Sequence, residues 1–169
     1  MNMDGKLRNM TALYITDRTD ADNPRMLMLY RIGSKVVEPS WCGIGGHFEP
    51  EEVNDARACV LREVREEIGL TEDALDNLRM RYIALRQKNG EIRHNYYFFA
   101  DLKPGVQVNL TCDEGVPKWV DYRDVCGLNM PYSAKYALEH YMETGRYTEN
   151  VYVGAAYTGG MNFAMLEEI

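Results

Sequence analysis

"GGHFEPEEVNDARACVLREVREEIGL", residues 45–70, decides how this chain is read. Its second half has helical spacing. Val60, Leu61, Val64 and Ile68 recur three and four residues apart, Asn54 or Asp55 can cap the N-terminus, and Gly69 stands where a left-handed C-cap is wanted. At about 100° per residue, with Glu63 at zero, Glu66 falls near 300° and Glu67 near 40°, while the apolar residues occupy about 100–160°. Three carboxylates therefore share one face, beside the face that is buried. Like charges at these spacings cost a bare helix about 0.2–0.5 kcal/mol per pair. Either solvent, with Arg62 and Arg65, softens that repulsion, or a bound cation removes it. A hard divalent cation takes oxygen ligands and keeps several waters, which suits carboxylates on one helical turn together with a substrate phosphate. The loop before the helix, "GIGGHFEPEE", has glycines that admit close backbone approach, and it brings Glu49, Glu51 and Glu52 to the helix start.

Composition narrows the class. A chain of 169 residues is expected to form a single domain, 1–169, around one core. A net charge of -7 argues against a nucleic-acid polymer as partner, and a small anionic substrate would need a metal to bring positive charge. Cys42, Cys59, Cys112 and Cys126 are irregularly spaced with no C-x-x-C pair, so they read as reduced thiols of a cytoplasmic protein. No run approaches the roughly 18 apolar residues of a membrane span, and no membrane partner is expected.

Strands are expected at residues 9–17 and 25–32, followed by a glycine-broken strand in "SWCGIGGHFE". A long hairpin, 78–87 and 92–102, turns at "KNGE"; "PKWVDY" reads as a short strand and 132–145 as a second amphipathic helix. "NVYVGAAYTGG" and "NFAMLEEI" read as closing strands, the first offering an edge at which two copies could pair as a homodimer. Strands crowded around two helices suggest the α+β class, an α-β-α sandwich over a mixed sheet.

Residues 45–70 resemble the Nudix box: a Gly, five residues, a Glu, seven residues, then Arg-Glu, an aliphatic residue, any residue, Glu-Glu, any residue, Gly and an aliphatic residue. The second half is complete as Arg62, Glu63, Val64, Arg65, Glu66, Glu67, Ile68, Gly69 and Leu70, and the first half fits as Gly46, five residues and Glu52. Nine residues, "VNDARACVL", separate Glu52 from Arg62 where the pattern has seven. A two-residue insertion at the loop-helix junction leaves the helix face unchanged and leaves open whether Glu51 or Glu52 is the loop glutamate.

The resemblance implies the sandwich fold and hydrolysis of a nucleoside diphosphate linked to another moiety. It implies Mg²⁺, with Mn²⁺ as an alternative, bound by Glu66 and Glu67, with Glu63 as ligand or as the base that takes a proton from water. Arg62 would orient a carboxylate, the Gly46 region would offer a backbone carbonyl to the metal, and Glu52 would brace the loop. Glu114, in "CDEGVPKW" ahead of Trp119, matches a metal-bound glutamate commonly found outside the box. His47 is expected to be structural or to lie at the substrate's edge.

Residues 8–52 look like small bacterial mutator-type 8-oxo-dGTP diphosphatases, and the downstream proline of ADP-ribose hydrolases and an "SQPWPFP"-like stretch are absent. The expected substrate is a purine nucleoside triphosphate, oxidised or not, giving monophosphate and pyrophosphate. The alternatives are a non-catalytic nucleotide-sensing module and a hydrolase of ADP-ribose or dinucleotide substrates. Trp41, Phe48, Tyr14 and Tyr96 suit base stacking and strand core equally. None is assigned to substrate binding.

Overall fold

The computed structural model describes residues 5–33 and 38–169. In chain order its elements are β1 (Lys6–Asp17), β2 (Arg25–Arg31), β3 (Ser40–Cys42), α1 (Ala56–Ile68), β4 (Leu75–Lys88) and β5 (Glu91–Leu102). There follow β6 (Val116–Asp121), the one-turn α2 (Tyr122–Val125), α3 (Tyr132–Glu143), β7 (Val151–Tyr157) and β8 (Gly160–Leu166). The strands form one mixed sheet in the order β3-β2-β1-β5-β4-β7-β8, with β6 joined to β2. The β1–β5 and β4–β7 pairs are parallel. Helices cover both faces, giving the expected α-β-α sandwich of the α+β class.

Strand alternation sorts the two cores. Leu13, Ile15, Leu27 and Leu29 pack with Val60, Val64 and Ile68 of α1. Their neighbours Tyr14, Met26 and Met28 point the other way, toward Ala134, Ala137, Leu138 and Tyr141 of α3. At about 1.5–3 kcal/mol per fully buried large apolar side chain, both helices are held chiefly by burial on β1 and β2.

One irregularity positions the site. The edge of β2 away from β6 is divided, β1 pairing with residues 25–27 and β3 with residues 29–31. Where β1 diverges, the chain after β3 takes its place: Thr11 N donates to Gly46 O (2.9 Å), Leu13 N to Ile44 O (2.6 Å) and Phe48 N to Asn9 O (3.2 Å). A Cβ on Gly45 would land on the Thr11 carbonyl oxygen, so only glycine passes here. The stretch expected as one glycine-broken strand is thus β3 followed by bridges at Ile44 and His47.

Other departures are local. β1 begins at Lys6, and β4 starts at Leu75 and contains two register shifts. Tyr122 opens α2 instead of closing β6, because the Asp121 side chain caps the turn by accepting from Arg123 N (2.9 Å). β8 ends at Leu166, short of the expected Ile169.

Candidate active site

The carboxylates are placed by the way α1 starts and stops. Asp55, not Asn54, is the cap, accepting from Ala58 N (2.9 Å), and Gly69 closes the helix with φ 70° and a bond from its N–H to Arg65 O (3.0 Å). With Val60, Val64 and Ile68 locked into the core, Glu67 at the edge of that face is drawn in with them and is only 8% exposed. Leu61 is partly buried on the same core.

Glu52 is the loop glutamate that turns inward, at 8% exposure, whereas Glu51 is exposed. Its Oε1 accepts from Arg62 Nε (2.7 Å) and its Oε2 from Arg62 Nη2 (3.0 Å) and Glu49 N (3.0 Å). Arg62 Nη1 also donates to Glu63 Oε1 (2.8 Å) and Glu66 Oε2 (3.0 Å), and Nη2 to His47 O (3.1 Å). One planar guanidinium therefore fixes the loop to the helix and gathers two of the three helix carboxylates. The hydrogen bonds from Arg62 hold the Glu52 carboxyl at about 2, far below the usual carboxylate range. Asp55 caps α1 three residues after Glu52, and Arg62 reaches Glu52 across this junction.

Glu67 is held quite differently. Both its oxygens are buried with no hydrogen-bond partner among the described residues. Burial first, then the charge of Glu114, pushes its pKa up to about 8, which the Arg31 charge offsets only in part. Arg31, at the end of β2, donates from Nη2 to Glu114 Oε2 (2.9 Å), and the same nitrogen lies 3.8 Å from Glu67 Oε1 and 3.5 Å from Gly45 O. Glu63 is raised too, by burial against the pull of Arg62, with Glu66 and Glu114 adding to the rise. A Cβ on Gly46 would lie 2.6 Å from Glu63 Oε1, so that glycine lets the carboxylate reach the loop.

The Gly46 carbonyl accepts from Thr11 N, and the Gly45 carbonyl accepts from Arg31 Nη2, the nitrogen that also faces Glu67 and Glu114. Tyr14 is wholly buried in the α3-side core and has no face for a base. Trp41, partly buried, packs on Tyr30 (ring centroids 5.0 Å), and Phe48 on Tyr96 (5.4 Å). Burial and three nearby arginines lower the His47 pKa, and its fixed contribution is the carbonyl that takes Arg62. Sequence reasoning missed Arg31, whose only signal was a basic residue closing the apolar run "MLMLYR".

Among the described residues no three His, Cys, Asp or Glu side chains converge as a formed metal cage. Arg62 draws Glu63 and Glu66 one way, and Arg31 holds Glu114. The donor set nevertheless fits a hard divalent cation. It is all oxygen, and it centres on a buried carboxylate whose two oxygens accept no hydrogen bond and whose nearest counter-charge is a guanidinium 3.8 Å away.

The family model of the NUDIX domain matches residues 6–141. The chain belongs to the Nudix family. As a Nudix hydrolase it is a pyrophosphohydrolase acting on phosphoanhydride bonds, and members generally use a divalent metal and small-molecule nucleotides. Solved Nudix structures share the fold. The mutator MutT protein of Bacillus halodurans is 19% identical at TM-score 0.66, with 94% of this chain and 97% of that one covered. A C. elegans Ap4A hydrolase complex is 19% identical at TM-score 0.67, covering 83% and 99%. The NUDIX domain of Shewanella oneidensis NrtR, solved with ADP ribose, is 14% identical at TM-score 0.62, covering 86% and 90%. No curated protein sequence matches the chain.

Proposed function

We propose that this Nudix hydrolase is a Mg²⁺-dependent enzyme that cleaves a purine nucleoside triphosphate, oxidised or not, to monophosphate and pyrophosphate. The observation that carries the metal reading is Glu67, a buried carboxylate with neither oxygen hydrogen-bonded, next to Arg31 and within the field of Glu63 and Glu114. An isolated buried charge is costly, and a divalent cation removes that cost. Glu66, Glu67, Glu114 and the Gly45 carbonyl would hold the ion, with Glu63 a further ligand or the base for water. Bound there, the ion would neutralise phosphate charge and activate water, which is most of what phosphoanhydride cleavage requires.

The chain's own residues do the positioning. Arg62 aims Glu63 through a charge-assisted bond, Glu52 fixes the Gly45–Gly46 loop against α1, and Arg31 is placed to take a phosphate oxygen when an ion engages Glu67. The triphosphate is favoured by the likeness of residues 8–52 to mutator-type diphosphatases and by the missing markers of the ADP-ribose and NADH subclasses. In this reading the chain works as one domain in the cytoplasm, where its four free thiols stay reduced.

The test is a nucleotide panel with Mg²⁺, with products separated. Monophosphate and pyrophosphate from a purine triphosphate are expected. ADP-ribose or a dinucleoside polyphosphate turned over at least tenfold faster than every triphosphate would overturn the substrate assignment.

A further inference from the structure

The carboxylate site accounts for Arg31 and Arg62, but another group of arginines gathers elsewhere. A cavity of about 340 Å³ is lined by Arg18, Arg79, Arg81 and Arg146, with Asp101 and Glu149 as its carboxylates. Four guanidiniums against two carboxylates leave this cavity positive in a chain of net charge -7. Arg18 pairs with Asp101 and Arg79 with Glu149. Arg81 and Arg146 have no carboxylate partner among the described residues.

Arg81 is the unusual one. It is 7% exposed, yet its partners are neutral carbonyls: Nε donates to Asn150 O (2.9 Å), and Nη2 to Gly145 O (2.7 Å) and Thr148 O (2.7 Å). Those bonds fix the guanidinium without neutralising it, and a buried charge without a counter-charge is expensive. The backbone is bent to put it there. β4 slips register between Asp76 and Arg79 and again between Met80 and Tyr82, so Arg81 has no partner residue on β5, and Asn77 in the first irregularity has φ 56°. Bulges of this kind re-aim side chains, and here Arg79 and Arg81 both reach the cavity.

This cavity is separate from the glutamates. β1 meets the glycine loop at Thr11 but the cavity at Thr16, five residues on and about 17 Å away at ~3.3 Å per residue. Its wall includes Phe99 and Tyr141 of the α3-side core, whereas the glutamates ride on α1 across the sheet. The volume lies within the roughly 300–1,000 Å³ of small-molecule sites, and the planar fork of arginine matches phosphoryl oxygens in pairs.

We propose that the arginine cavity formed by Arg18, Arg79, Arg81 and Arg146 is a second binding site, which takes a phosphoryl-bearing small anion without a metal ion. Arg81 is the fixed central cation. Arg18 and Arg146, both exposed at the rim, close on the anion.

The experiment uses the full chain in EDTA, where the glutamate site is acidic and repels anions. Binding of pyrophosphate and of AMP is followed by calorimetry and by thermal unfolding at constant ionic strength. Saturable one-site binding is expected, weakened about tenfold by Arg18→Gln or Arg146→Gln, the loss of one charge-assisted hydrogen bond. Glu67→Gln should leave it unchanged. Arg81→Met should abolish it, and because that change also frees three carbonyls, the two rim variants carry the test if it fails to fold. Tighter binding of pyrophosphate would assign a free anion, and tighter binding of AMP a nucleotide. No binding in EDTA, binding indifferent to both rim variants, or binding lost with Glu67→Gln would overturn the proposal.

Discussion

Glu52→Gln tests whether the loop is fixed to α1 through a single carboxylate. Glu52 is 8% exposed and accepts three hydrogen bonds, two of them from the Arg62 fork at 2.7 and 3.0 Å. Glutamine keeps the shape, removes the charge and turns one acceptor into a donor that faces a donor. A hydrogen bond to a charged group contributes about 1.5–3 kcal/mol, and losing one member of a buried pair costs about 3–5 kcal/mol. Arg62 keeps Glu63 and Glu66, so its own charge is not orphaned and the lower part of that range applies, about 2–3 kcal/mol. For a chain of this length that is roughly 4–12 °C in Tm. The control is Glu51→Gln, at an exposed neighbour, which should stay within about 0.5 kcal/mol. The pH dependence has a definite sign. The folded Glu52 carboxyl titrates at about 2, below its ordinary value of 4.5, so the unfolded chain binds more protons between the two. Its contribution is present above about pH 4.5 and is lost as pH falls through about 2. The gap between parent and Glu52→Gln should therefore narrow over that window. Urea unfolding at pH 7 and at several acid pH values measures it, and equal stabilities for Glu51→Gln and Glu52→Gln at pH 7 would refute the reasoning.

The glycine loop and the outlying glutamate give two further expectations. In Gly45→Ala the new Cβ meets the Thr11 backbone, which cannot step aside, and a loss of about 1–3 kcal/mol is expected by chemical denaturation. Gly46→Ala meets only the end of Glu63, so turnover should fall further than Tm. Glu114→Gln, at an exposed position bonded by Arg31, should lower turnover at limiting Mg²⁺ while stability moves by less than about 0.5 kcal/mol. Unchanged turnover would leave Glu114 a turn residue.

The helix and its carboxylate face were legible because both are local. A 3.6-residue period, a cap and a terminal glycine fix α1, and the same angles that gather Glu63 and Glu66 also place Glu67 beside the buried stripe. The depth of Glu67 was not legible, since it depends on how far Val64 and Ile68 sink between β1 and β2. Nor was Arg31, which reaches the site only because β2 shares one edge between β1 and β3 and so ends beside the glycine loop. The choice between Glu51 and Glu52 waited on the reach of Arg62, which spacing does not encode. The same holds for the glycine loop, where pairing with β1 turns the Gly46 carbonyl to Thr11 and leaves the Gly45 carbonyl toward Arg31. The bulges of β4 leave no trace in a sequence whose alternation reads as a regular hairpin.

If the α1 carboxylates hold a divalent cation that drives hydrolysis, it will show in thermal unfolding of the parent and Glu67→Gln with and without Mg²⁺, with turnover measured on the same samples. Without metal the variant should be at least as stable as the parent, because it loses a buried carboxylate whose oxygens accept no hydrogen bond, while Arg31, 3.8 Å away, keeps Glu114 as its partner. With Mg²⁺ the parent's Tm should rise by mass action and the variant's much less, and turnover should fall at least 10- to 100-fold, roughly the cost of disturbing even the residues behind a metal's ligands. Equal magnesium responses together with parental turnover would contradict the metal site and leave the three glutamates as a charged helix face.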